Sequence, residues 1–152
     1  MSEHADAARR ILAGNRYVVL ATVDAGGEPW VTPVWFAHRD LTTVVWVSSP
    51  ETRHSQALAA TGRVAVTVFD SGVEPGHGTA FYGRGRAGEC PADRVTDDLA
   101  TFNARGAAQG LRAWDASEVT GDGRFRLYVA ELDELSLLPG GGPDRRVPIE
   151  PD

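Results

Sequence analysis

The sequence predicts a mainly β domain, a barrel of six antiparallel strands with helices on its outside, and three observations predict it. Runs of β-branched and aromatic residues of strand length recur along the chain, separated by short turns rich in Gly and Asp. The first three runs follow one another with no room for a helix between them, which gives a meander and disfavours the strict alternation of a doubly wound sheet. Helical signals inside the chain fall in two places only, after Ser48 and after Pro91, so one short and one longer helix flank the strands.

Residues 3–13 carry Ala7, Ala8, Ile11 and Leu12 at helical spacing before Gly14-Asn15, the pattern of a short amphipathic helix with its stop. YVVLATVD (17–24), the turn Ala25-Gly26-Gly27 and EPWVTPVWFAH (28–38) read as a hairpin. Pro29 and Pro33 cannot donate to a ladder, so the second strand is expected to be bulged or unpaired on one side. Arg39-Asp40 turns the chain into a third strand, LTTVVWVS (41–48).

Ser48-Ser49-Pro50-Glu51-Thr52 combines a serine able to cap, a proline suited to the first helical position and an acid in the first turn. It predicts a crossover helix through Leu58 and Ala59 that stops at Gly62. RVAVTVFD (63–70) alternates as a fourth strand. GTAFYGRGRAGE (78–89) is a fifth, in which Gly83 and Gly85 mark a bulge or a close backbone approach. A helix from Pro91 to about Ala108 carries Val95, Leu99 and Phe102 on one face. RFRLYVAELDEL (124–135) is the last strand, and the Pro/Gly-rich tail 139–152 has little reason to be regular.

Composition excludes several functions. The net charge of −6 lacks the basic stripe of a nucleic-acid binder, and all fifteen basic residues are arginines, which removes Schiff-base chemistry. Cys90 is the single cysteine, so intrachain disulfides and cysteine-zinc clusters are ruled out, and its lack of a basic neighbour marks it as an inert thiol. The four histidines show no metal-ligand spacing. No apolar run is long enough to span a bilayer, and the reading is a soluble cytoplasmic domain. Asp97-Asp98 and Asp133-Glu134 read as solvated charge.

The 48–54 segment is the strongest site candidate. A helix start offers free N–H groups and the positive end of the helix dipole, Arg53 adds a forked permanent cation, and His54 a further donor. Taken alone, the same segment also reads as an ordinary capped helix with a surface arginine. Trp30, Trp35 and Trp46 on neighbouring strands read as core or interface, with Trp35 the one placed beside a planar ligand; Tyr82 and Arg84 are weaker pocket candidates.

In this order, RYVVLATVDAGGEPWVTPVWFAH, VVWVSSPETRHSQALAATGRVAVTVFD, FYGRGRAGE and RLYVAELDELSLL resemble the pyridoxamine 5′-phosphate oxidase-like flavin-binding split β-barrels over most of the chain. The resemblance implies one six-stranded antiparallel split β-barrel of the FMN-binding type over residues 1–138. It further implies a homodimer with the flavin between subunits, acting as an oxidoreductase on a small molecule, with no metal. By position, Thr32, Pro33, Val34 and Trp35 would border the ring, Ser48 and Ser49 the ribityl chain, and Thr52, Arg53 and His54 the phosphate. Thr32 and Ala37 stand where vitamin B6 oxidases have basic residues, which argues against that activity. The deazaflavin F420 is the alternative cofactor, and a non-catalytic flavin or haem binder or a cofactor-free interaction module are the alternative roles.

Overall fold

The computed structural model describes residues 2–150. The elements are α1 (Glu3–Gly14), β1 (Tyr17–Val23), β2 (Pro29–Trp35), β3 (Ala37–Arg39), β4 (Thr43–Ser48), α2 (Arg53–Thr61), β5 (Arg63–Phe69), β6 (Ala80–Glu89), α3 (Val95–Ala108), β7 (Arg126–Leu138) and β8 (Val147–Pro148). All strand pairs are antiparallel, in the order β2-β1-β5-β6-β7-β4-β3, with β8 on β7. The two strands at the ends of that order, β2 and β3, are consecutive in the chain with only Phe36 between them. Their continuity curls the sheet into the expected barrel.

Eight strands replace the six read from the sequence, for two physical reasons. The run 28–38 breaks at Phe36, whose ring turns into the core beneath the Arg105 guanidinium. The tail, expected to be irregular, returns Val147 and Pro148 to the sheet opposite Leu137 and Ser136 and buries Ile149 in the barrel core. The prolines of β2 lie as anticipated on a strand that pairs with β1 alone. Between Arg84 and Gly85 the register of β6 on β7 shifts, and a Cβ on Gly85 would fall 2.0 Å from the Glu131 carbonyl oxygen, so only glycine fits there.

Register decides which residues face inward. Val18 and Leu20 of β1, Val64, Val66 and Val68 of β5, Phe81 of β6 and Trp46 of β4 fill the barrel, with α1 contributing Ala5, Ala8 and Leu12. Ser2 caps α1 through its hydroxyl, which accepts from the Ala5 N–H at 3.1 Å. The other end of α1 lacks a basic residue of its own; Arg105 of α3 supplies one, donating to the carbonyls of Leu12 and Asn15 at 2.8 and 2.7 Å.

A second cluster lies outside the barrel, where Val95, Leu99 and Phe102 of α3 cover Ala37, Val45, Leu127 and Val129. Asp98 belongs to this packing and corrects the reading of solvated charge: it is 1% exposed, salt-bridged to Arg39 and, at 3.1 Å, to Arg94. Cys90 donates to the same carboxylate at 3.4 Å. Helix α3 starts at Val95 and not Pro91, because residues 91–94 form a turn closed by Arg94 N–H on the Pro91 carbonyl. Among the described residues no helix is long and apolar enough to cross a membrane.

Candidate functional site

The end of β4 and the start of α2 form the centre of the site. Helix α2 begins at Arg53, three residues later than the serine-proline pair suggests. The reason is local: Thr52 N–H donates to the Ser49 carbonyl at 3.2 Å, which makes Ser49–Thr52 a reverse turn with Pro50 at its second position, where a fixed φ is favoured. Thr52 becomes the cap, its Oγ1 accepting from the Ser55 N–H at 3.3 Å. Arg53 and His54 thus occupy the first two helical positions, whose N–H groups have no partner within a helix.

His54 is buried, with Nε2 2.9 Å from Ser48 Oγ and 3.3 Å from Thr52 Oγ1. Burial lowers its pKa below the ordinary 6.5, so at neutral pH the ring is uncharged and acts as a hydrogen-bonding strut between β4 and α2. Ser55 Oγ, 2.7 Å from Thr52 Oγ1, extends this hydroxyl cluster, and in the core nearby Tyr128 stacks on Trp46 at 5.8 Å between centroids. The turn is therefore tied through Thr52, His54 and Ser48 to the end of β4. Trp46, fully buried, is core and not part of an aromatic wall.

Arg53 remains exposed, and its guanidinium lies over the Trp30 ring at 4.2 Å from the centroid. A stacked guanidinium keeps its N–H donors in its own plane, free to fork onto an anion. Ring and cation are 23 positions apart, and only the β2 register, which sets Trp30 opposite Thr22 at the barrel end under α2, brings them together. Nothing in the local sequence signalled this contact. Arg53 also lines a 620 Å³ cleft between the β1–β2 turn and α2, with Asp24, Ala25, Gly26, Glu51, Gln56, Ala57 and Ala60.

The other β2 residues divide between two faces. Thr32 and Val34 pair with Leu20 and Val18 and face the barrel interior, while Pro33 and Trp35 pair with Val19 and Tyr17 and face outward. Trp35 is held under α3, its Nε1–H donating to Gln109 Oε1 at 2.8 Å and its ring edge-on to Phe102. Among the described residues, the edge of β2 away from β1 pairs with no other strand. Tyr82 and Arg84 point outward from β6, the first under the Arg146 guanidinium and the second salt-bridged to Glu134. Beside Arg84 the outer face of β1, β5 and β6 carries a 460 Å³ cleft whose lining includes Ala21, Ala65, Gly85, Arg63 and Arg86.

The curled antiparallel sheet, joined at its ends through β2 and β3 and flanked by α1, α2 and α3, defines a split-barrel protein. Residues 5–138 match the family model described as pyridoxamine 5′-phosphate oxidase, and the chain belongs to that family. Among solved structures it is similar to a haem-binding protein from Mycobacterium smegmatis, at 20% identity and a TM-score of 0.76, covering 98% of this chain. This chain spans only 58% of that protein's length. It is also similar to an FAD-binding protein from Mesorhizobium loti (19% identity, TM-score 0.66, 90% of this chain and 94% of the other). A haem storage protein from Vibrio cholerae is a further relative in fold (18%, 0.66, 91% and 96%). No curated protein matches the sequence.

Proposed function

We propose that the chain is a homodimeric flavin-dependent oxidoreductase that anchors the flavin phosphate at Ser48, Ser49, Thr52 and Arg53, with His54 bracing the segment from behind. The observation that carries this reading is Arg53 at the first position of α2, exposed and with its guanidinium 4.2 Å from the Trp30 ring centroid. The donor set fits a dianion: one forked cation, two helix-start N–H groups and the Ser49 hydroxyl. When bound, the flavin supplies the hydride or electron transfer. The protein's part is to hold the phosphate and to lay the free edge of β2 along the ring.

A second copy would cover the outer face of β1, β2, β5 and β6, where Tyr17, Val31 and Phe69 are exposed. The small substrate would reach the ring from the side the partner leaves open. Of two similar structures one is a haem-binding and one a haem storage protein, but the outer cleft beside Arg84 is lined without a histidine, cysteine, methionine or tyrosine to ligate iron. That lining favours flavin.

Titrating the protein with FMN, with haem as the comparison, tests the reading. Flavin is expected to bind with visible absorbance perturbed, and Arg53→Ala is expected to weaken it by about 1.5–3 kcal/mol, roughly ten- to a hundredfold. Unchanged affinity in that variant would remove the phosphate assignment, and uptake of haem but not flavin would replace the cofactor.

A further inference from the structure

We propose that Trp30 is a positioning residue of the phosphate site: its ring holds the Arg53 guanidinium open to the ligand and away from the carboxylate of Glu51. This rests on the reading of Arg53 as the phosphate anchor and adds a residue, from a distant strand, that acts through it. Arg53 is exposed and lines the cleft between the β1–β2 turn and α2 together with two acids, Asp24 and Glu51. Among the described residues it forms an ion pair with neither, and its guanidinium lies over the Trp30 ring instead, 4.2 Å from the centroid. An exposed ion pair and an exposed cation–π contact are worth about the same, so the ring is able to win.

The two acids differ as competitors for the arginine. Asp24 is engaged within its own turn, its Oδ1 accepting from the N–H groups of Gly26 and Glu28 at 2.9 Å each. Glu51 is tied through its backbone, whose N–H donates to Ser49 Oγ at 3.2 Å, and among the described residues its carboxylate has no hydrogen-bond or ion-pair partner. Glu51 is therefore the group able to draw Arg53 off the ring and occupy the donors that a phosphate needs.

Trp30 is suited to prevent this. Its backbone is fixed opposite Thr22 in the β1–β2 ladder, and that of Arg53 is fixed behind the Thr52 cap, so the rotors of the arginine side chain are what the ring has to restrain. Indole is the strongest aromatic platform for a cation, and a guanidinium lying over it keeps its N–H fork in its own plane. At 39% exposed, Trp30 is not accounted for by core packing. Without the ring, the arginine would have to be ordered, and detached from Glu51, each time a phosphate bound.

Binding constants for FMN and for riboflavin, which lacks only the phosphate, test the role by equilibrium dialysis on the full chain, because their ratio isolates the phosphate contact. Trp30→Leu and Trp30→Val, two ringless side chains, are each expected to lower the FMN-to-riboflavin affinity ratio by about two- to fivefold. Trp30→Tyr, which keeps a ring, is expected to hold most of it. In an Arg53→Ala background, Trp30→Leu is expected to lower the ratio no further, since the ring acts through the arginine. A ratio unchanged in the ringless variants, including one in which both flavins weaken together, overturns the positioning role and leaves Arg53 as the anchor. So does a ratio lowered equally with and without Arg53, which would put the ring on the ligand itself. If Arg53→Ala alone leaves the ratio unchanged, or neither flavin binds the wild-type chain, the phosphate reading falls and this role with it.

Discussion

The barrel has two outer faces, and the chain treats them differently. On β3, β4 and β7 the outward side chains Ala37, Val45, Leu127 and Val129 are sealed by α3. On β1, β2 and β5 the outward residues Val19, Ala21, Val31, Pro33, Ala65 and Thr67 have no helix over them; the first, second, fifth and sixth are half-buried, and Val31 is 60% exposed. Both faces are apolar enough to need a cover. One receives it from its own sequence; the other stays partly exposed, with the arginines of β5 and β6 around the rim of its cleft. The contrast shows that α3 completes the packing of one face and leaves the other partly exposed.

The largest expected difference follows from packing on the sealed face. Phe102 is buried between Trp35 and the outer surface of the sheet, so Phe102→Ala should cost about 3–5 kcal/mol in chemical denaturation. A loss below about 1 kcal/mol would mean that α3 is not integral to the barrel.

The same seal predicts silence in Cys90. Burial, helped by the hydrogen bond to Asp98, pushes its thiol up to about 12 from 9.0. The thiolate available at pH 8 is then about a thousandfold scarcer than for a free cysteine. Native protein should resist iodoacetamide over hours and react at once when unfolded, as followed by intact mass. Ready modification of the native chain would show that the α3 face opens.

Much of the sealed face was legible in the sequence and little of the open one was. Val95, Leu99 and Phe102 announce a covering helix by spacing alone, and Gly83-Arg84-Gly85 announced the bulge beside Glu131. Gly62, with φ 65°, ends α2 where the sequence placed the stop. The burial of Asp98 was not legible, because its partners Arg39 and Arg94 come from a strand 59 residues away and from the helix cap. Nor was the Trp30–Arg53 stack, which depends on strand register, nor the inward turn of His54, which depends on Ser48 ending β4 at the correct depth. Local spacing encodes helices and bulges; it does not encode which distant side chains meet.

The junction between the two faces should respond to acid. Burial lowers the pKa of His54, and burial also lowers that of His38, the latter partly offset by its contact with the Asp40 carbonyl. A histidine kept neutral in the native state gives stability that is present above its ordinary 6.5 and lost as pH falls through the lowered native value. Urea midpoints should therefore fall between pH 7.5 and 5, and His54→Gln should make that fall shallower. An identical pH slope in the variant would mean that His54 is not held neutral.

The smallest effect on folding, and the sharpest on the comparison, is expected from Val31→Glu. Val31 lies outward on β2, opposite Ala21, on a strand whose far edge has no strand partner among the described residues. An exposed position of this kind should change the stability of the single chain by no more than about 0.5 kcal/mol. If a second copy covers this face, the added charge is buried without a partner in the interface, and the particle mass by light scattering should fall from two chains to one. Val45→Glu, the matching change beneath α3, should instead prevent folding, since that side chain is fully buried. A wild-type chain that is already monomeric, or a Val31→Glu protein that stays dimeric, would show that the open face serves the ligand alone.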